Sequence, residues 1–196
     1  MGVLEENVKI LLAQMELTQW KPHSVNMSLF GHKVINREDL RNTNMVKGFY
    51  ETKTSGSTGE PVTISKTKED YLWFIASNIR DFRWRKWDVT KNVAVIKTTA
   101  TENVFNGWGI PLEIEPKQGL MYTNSYKPIS ELQEWLEKVN PHYISCFPSI
   151  FKLLDTTRLS NFIDWKGTGE VGGSIYSSEE CGVIALKCPD NPKTMH

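Results

Sequence analysis

The sequence predicts an α/β fold. Short β-favouring runs, FYETKT, PVTISKT, NVAVIKTT, HYISC and GVIALK, recur along the chain, and helix-length segments stand between most of them. The run NVAVIKTT has the uninterrupted Val/Ile character of a strand buried on both faces. The composition, 39% apolar and 23% charged over 196 residues, is enough for a sizeable core.

The first segment reads as a helix, because Leu4, Val8, Leu11, Leu12 and Met15 share one face at spacings of three and four. In VINREDLRN, Asn36 is placed to cap a short helix through Asp39. FYETKT and PVTISKT read as two strands around a glycine-rich loop, with Val62 and Ile64 alternating with Thr63 and Ser65. Thr67 opens a long helix whose expected apolar stripe is Tyr71, Phe74, Ile75, Ile79 and Phe82. Residues 98–127 read as an irregular, loop-rich stretch able to line a pocket. SELQEWLEKVNP carries a capping-box pattern, Ser130 with Gln133, and Pro141 closes it. HYISC is a strand, PSIFKLLD a helix entered through Pro148, and GVIALK a last strand.

The charge balance excludes some function classes. Lys+Arg and Asp+Glu are both 23, so no global field favours nucleic acid or an acidic membrane. Three cysteines, Cys146, Cys181 and Cys188, form no disulfide framework. No segment is long and apolar enough to span a bilayer, and MGVLEENVKILLAQMEL lacks the apolar centre of a signal peptide. The expectation is a cytoplasmic protein with reduced thiols.

The most informative stretch is KTSGSTGEPVT, residues 53–63. Glycines allow a tight turn whose consecutive N–H groups converge on an anion. The Ser and Thr hydroxyls add donors and can also reach a hydrated magnesium ion. The spacing is neither that of a Walker loop nor that of a dinucleotide fingerprint. As composition alone, such a run is equally a surface loop or linker.

In order and context, TSGSTGEPV closely resembles the phosphate loop of the adenylate-forming superfamily, the acyl-CoA synthetases and their relatives. VINREDLRN, WLEKVNPHYISCFPSIFKLL and YSSEECGVIALKCPDNPKTMH resemble blocks of its phenylacetate–CoA ligase-like branch, which includes capsule-biosynthesis proteins. The likeness runs from about Val34 to His196 and implies part of the N-terminal domain of that ligase fold, a mixed sheet flanked by helices. It implies that Thr54, Ser55, Gly56, Ser57, Thr58 and Gly59 cradle the phosphates of ATP. Tyr176 would stack on adenine, Glu180 would hold magnesium, and Glu170, in GTGEVGG, falls at the family's Gly-Glu block. Thr58 and Glu180 would be the residues closest to catalysis. The implied reaction is attack of a small carboxylic acid on the α-phosphate, loss of pyrophosphate, and transfer of the acyl group to CoA or another acceptor. Cys188 and His196 match two zinc ligands of some members, whereas a closed zinc site needs four.

The sequence departs from the family in three places. The lysine usual before the loop proline is Glu60, a carboxylate that disfavours nearby phosphate. Only five residues separate Glu170 from Tyr176, so GTGEVGG reads either as a second phosphate-facing turn or as a shortened connection. The family's ribose-binding Asp, hinge and lid lysine have no counterpart in these 196 residues. The expectation is therefore one incomplete adenylation domain over 1–196 without its C-terminal lid, inactive alone or completed by a second polypeptide. The competing expectations are a non-catalytic nucleotide-binding remnant and an interaction protein.

Overall fold

A computed structural model describes residues 2–17, 48–53, 62–98, 100–167, 175–178, 182–191 and 193–195, with side chains at 6–13 only in the first segment. The chain divides into two compact units, residues 1–77 with 178–182 and 196, and residues 78–177 with 183–195.

The first unit contains helix α1, Gly2–Leu17, in which Val8 and Leu12 are buried as their spacing requires. The Asn36 cap lies outside the described residues. Strands β1, Tyr50–Lys53, and β2, Thr63–Lys66, pair antiparallel from Tyr50↔Lys66 to Lys53↔Thr63. Helix α2, Lys68–Trp84, follows at once and runs on into the second unit. Its start is a reciprocal cap: Asp70 N–H donates to Thr67 Oγ1 (3.1 Å) and Thr67 N–H to Asp70 Oδ2 (2.7 Å). The buried stripe of α2 is Leu72, Ile75, Ala76, Ile79 and Phe82. Phe74, expected in that stripe, is 46% exposed instead. One turn of α2 carries five consecutive apolar or aromatic residues, 71–75, and the spacing rule cannot choose among them.

The second unit is built on a five-stranded mixed sheet of order β4-β5-β3-β6-β7. Its strands are β3 Val93–Ile96, β4 Asn103–Asn106, β5 Leu120–Asn124, β6 Tyr143–Cys146 and β7 Asp164–Gly167. All pairs are parallel except β4 with β5. On one face Ala94, Ile96, Ile144 and Cys146 pack against Leu132, Trp135 and Leu136 of helix α3, Ile129–Val139. Full burial of Leu132, Leu136 and Ile144 contributes about 1.5–3 kcal/mol each. On the other face the end of α2 meets the sheet, and Lys166 Nζ on β7 donates to Asp81 Oδ2 at 3.2 Å. The α/β class and the mixed, helix-flanked sheet are as the sequence predicted.

Three local expectations need correction. Residues 98–127 are not wholly irregular, since they hold β4 and β5. The Ser130–Gln133 capping box does not form, because α3 begins at Pro128 without a side-chain cap. Gln133 is buried and turned inward, where Oε1 accepts from Asp155 N–H (2.9 Å) and Nε2 donates to Asp155 O (3.1 Å). The PSIFKLLD helix is only one turn, α4, Pro148–Phe151, with Pro148 at its first position as expected. A single tighter turn, Thr156–Arg158, follows. Strands β8, Ile175–Ser178, and β9, Gly182–Leu186, pair as a separate ribbon.

At the amino-terminal ends of the parallel strands, Asn92 ties the sheet together. Its Oδ1 accepts from Leu120 N–H (3.0 Å), its carbonyl from His142 N–H (3.0 Å), and its own N–H donates to His142 Nδ1 (3.3 Å). The last bond requires an unprotonated Nδ1. Burial first, and the Lys91 charge second, hold the His142 pKa below the ordinary 6.5, against the opposing pull of Asp88. The unfolded imidazole therefore takes up a proton that the folded one refuses. This stability is complete above pH 6.5 and is lost as pH falls from there through the lower folded value. Urea midpoints measured across that window should decline more steeply for the parent than for His142→Gln. Parallel curves would rule out His142 as the cause.

Candidate functional site

The glycine-rich run lies in sequence between β1 and β2, which pair with each other. Glu51↔Ser65 and Thr52↔Ile64 keep the strands in register up to Lys53↔Thr63, so residues 54–62 connect two paired ends. Val62, Ile64 and Lys66 are buried, which fixes one face of β2 inward. The hairpin also leans on the first turns of α2. The Tyr71 ring lies 5.5 Å from Phe49 and 5.8 Å, edge-on, from Tyr50. At the hairpin base, Phe49 N–H donates to Lys66 O at 2.6 Å, and a Cβ on Gly48 would sit 2.5 Å from that same oxygen. Only glycine permits this approach.

Thr52, two residues before the loop, has a buried hydroxyl without a hydrogen-bond partner. A buried orphan donor is uncommon in a native fold and marks a place where a polar group is needed. A phosphate oxygen or a water of a hydrated magnesium ion suits it chemically. The loop residues themselves, Thr54, Ser55, Gly56, Ser57, Thr58 and Gly59, lie outside the described residues, as do Glu170, Glu180 and His196. Tyr176 is described, on β8, and the residue is 61% exposed. Cys188 is buried, and its Sγ accepts from Asn191 N–H at 3.3 Å. Among the described residues no three His, Cys, Asp or Glu side chains are grouped to hold a metal ion. Cys188 thus has no zinc-donor set around it among those residues.

In the second unit the carboxyl ends of β3, β5 and β6 form the other place where open α/β sheets take ligands. The chain passes from β3 to β5 on one side and then crosses to β6 on the other, so the order reverses beside β3. Asn124 closes β5 at this edge and is fully buried. Its Oδ1 accepts from Ser125 N–H (2.9 Å), while its Nδ2 has no partner. Asn124 escaped the sequence reading because residues 98–127 carried no strand pattern.

No family model matches the chain, and no curated protein does. Among solved structures, an open conformation of 2-hydroxyisobutyryl-CoA ligase in complex with 2-HIB-AMP and CoA is similar at a TM-score of 0.47 and 16% identity. The similarity covers 73% of this chain and 35% of that one, so the chain spans about a third of the ligase's length. Among the described residues no helix is long and apolar enough to cross a membrane.

Proposed function

We propose that this chain is the phosphate-binding part of an ATP-dependent, carboxylate-activating ligase of the adenylate-forming type. The observation that carries the reading is the run TSGSTG held between two paired strands, the setting that its resemblance to the family's phosphate loop calls for. The unpartnered Thr52 hydroxyl, two residues before the run in sequence, is a further donor that such a ligand would use.

On this reading, the loop N–H groups and the hydroxyls of Ser55, Ser57 and Thr58 hold the phosphates of ATP. Glu180 holds magnesium, which would neutralise phosphate charge. Magnesium takes one or two carboxylates with phosphate oxygens and waters, so a single Glu suits it. Tyr176, already exposed on β8, is free to stack on a base. A small carboxylic acid attacks the α-phosphate, pyrophosphate leaves, and the acyl group passes to CoA or another acceptor. The protein's share is positioning and charge stabilisation.

The test is calorimetric titration with Mg-ATP. A hydrogen bond to a charged group is worth about 1.5–3 kcal/mol, so Thr58→Val should weaken binding about 10- to 100-fold while the fold is kept. Equal affinity in two folded proteins would remove the phosphate-loop assignment.

A further inference from the structure

Among the described strands, β4 is the last on its side of the five-stranded sheet. Gly107 N–H donates to Gly119 O (3.0 Å), its partner in the register that sets Asn106 opposite Leu120. In an antiparallel ladder such bonded pairs alternate along the strand, so Phe105 and Asn103 also turn their backbone N–H and C=O toward β5. Val104 and Asn106 turn theirs outward. Val104 N–H accordingly donates to a side chain, Asn103 Oδ1 (2.8 Å), and not to β5.

This edge is exposed and uncharged. All four residues of β4 are exposed, Val104 by 52% and Phe105 by 43%. Open edges are usually guarded by a charge or a proline within the strand, and residues 103–110 contain neither. Glu102, just before the strand, is neutralised by Lys127 at 3.3 Å. The formal net charge of the chain is zero, so two copies do not repel each other at long range.

The edge is also complementary to itself, because its two outward residues stand symmetrically about Phe105. A second copy, rotated by a half-turn and laid antiparallel, sets Val104 opposite Asn106 and Asn106 opposite Val104. Each of these pairs exchanges two backbone hydrogen bonds. Phe105 then meets its own counterpart in a non-bonded pair, the closer kind of cross-strand contact. Asn103 falls opposite Gly107, which has no side chain to obstruct it. A register shifted by two residues keeps only one bonded pair within the strands and separates the two phenylalanines. We infer that β4 is a homodimer interface, paired edge to edge with β4 of a second copy about a two-fold axis at Phe105. The two five-stranded sheets then join into one. With four residues a side the contact is smaller than a standard interface, so the dimer is weak and concentration-dependent. This inference does not depend on the proposed function.

The experiment is analytical ultracentrifugation of the full chain from about 10 µM to about 1 mM. The expected result is a monomer–dimer equilibrium with a Kd of about 100 µM. Phe105→Lys and Phe105→Asp, each alone, should weaken it about tenfold, because like charges then meet at the axis. An equimolar mixture of the two should associate again, because opposite charges then meet there. Val104→Pro leaves the bonds to β5 in place and removes an outward N–H, so it should abolish the dimer with the circular dichroism spectrum unchanged. A parent chain that stays monomeric at about 1 mM would overturn the inference. So would a dimer undiminished in Phe105→Lys, or a mixture of the two folded charge variants that stays monomeric.

Discussion

Asp81→Asn should destabilise the chain by about 3–5 kcal/mol, more than any other side-chain change outside the apolar core. Asp81 and Lys166 are both buried, at 3% and 7% exposure. Asp81 joins two cations, Lys166 at 3.2 Å and Arg85 at 2.9 Å, and so ties the end of α2 to β7, the edge of the sheet. Burial pushes the Lys166 pKa below its ordinary 10.5, the Asp81 carboxylate pulls it back up, and Arg85 adds a smaller push down. Removing the carboxylate leaves an ammonium in the interior with the like charge of Arg85 beside it and only the Phe82 ring face, 4.7 Å away, to favour it. Lys166→Met should cost less, because Asp81 keeps Arg85.

The pH dependence separates a stranded charge from a simple loss of packing. Without Asp81 the folded lysine is driven further toward its neutral form, so the unfolded chain binds the extra proton. Stability then rises with pH until the unfolded lysine also titrates, near 10.5. The deficit of Asp81→Asn relative to the parent, measured by urea unfolding, should therefore shrink as the solution is made alkaline. A deficit under about 1 kcal/mol, or one independent of pH, would show that the pair does not hold the edge of the sheet.

Gly119→Ala should cost about 3 kcal/mol or more. A Cβ there would overlap the carbonyl of Lys91 and lie 2.7 Å from Thr90 O, and all of these atoms are backbone. Gly119 N–H also donates to Val89 O (2.8 Å), and its carbonyl accepts from Gly107 N–H (3.0 Å), so the strand entries and the loop close around it. Gly109 is the control. Its φ is +78° and nothing lies within 4 Å of an added Cβ, so Gly109→Ala bears only the left-handed cost, about 1–2 kcal/mol. Thermal melts followed by circular dichroism should rank Gly119→Ala well below Gly109→Ala. The reverse order would mean that the loop can open without disturbing the sheet.

What the sequence determined by itself was local. The Thr67 start of α2, the hairpin strands on either side of TSGSTG, the buried VAVI and YISC strands and the proline entry to α4 follow from spacing, capping chemistry and β-branched content. These depend on neighbours within a few residues, which is what a sequence displays. The resemblance of the 54–59 run is likewise read from the order of its glycines and hydroxyls, and the phosphate role proposed for it rests on that resemblance.

Tertiary structure decided the rest. β4 is exposed along its whole length, NVFN, and is a strand only because β5 offers it a ladder. Gln133 serves Asp155 rather than its own helix end, a choice made 22 residues away. Phe74 faces outward because the packing around α2 had room for Leu72 and Ala76. The buried setting of Asn124 and the Asp81–Lys166 pair are each assembled from segments distant in sequence. No spacing rule reports them, because their energies come from desolvation and from partners that only the folded chain brings together.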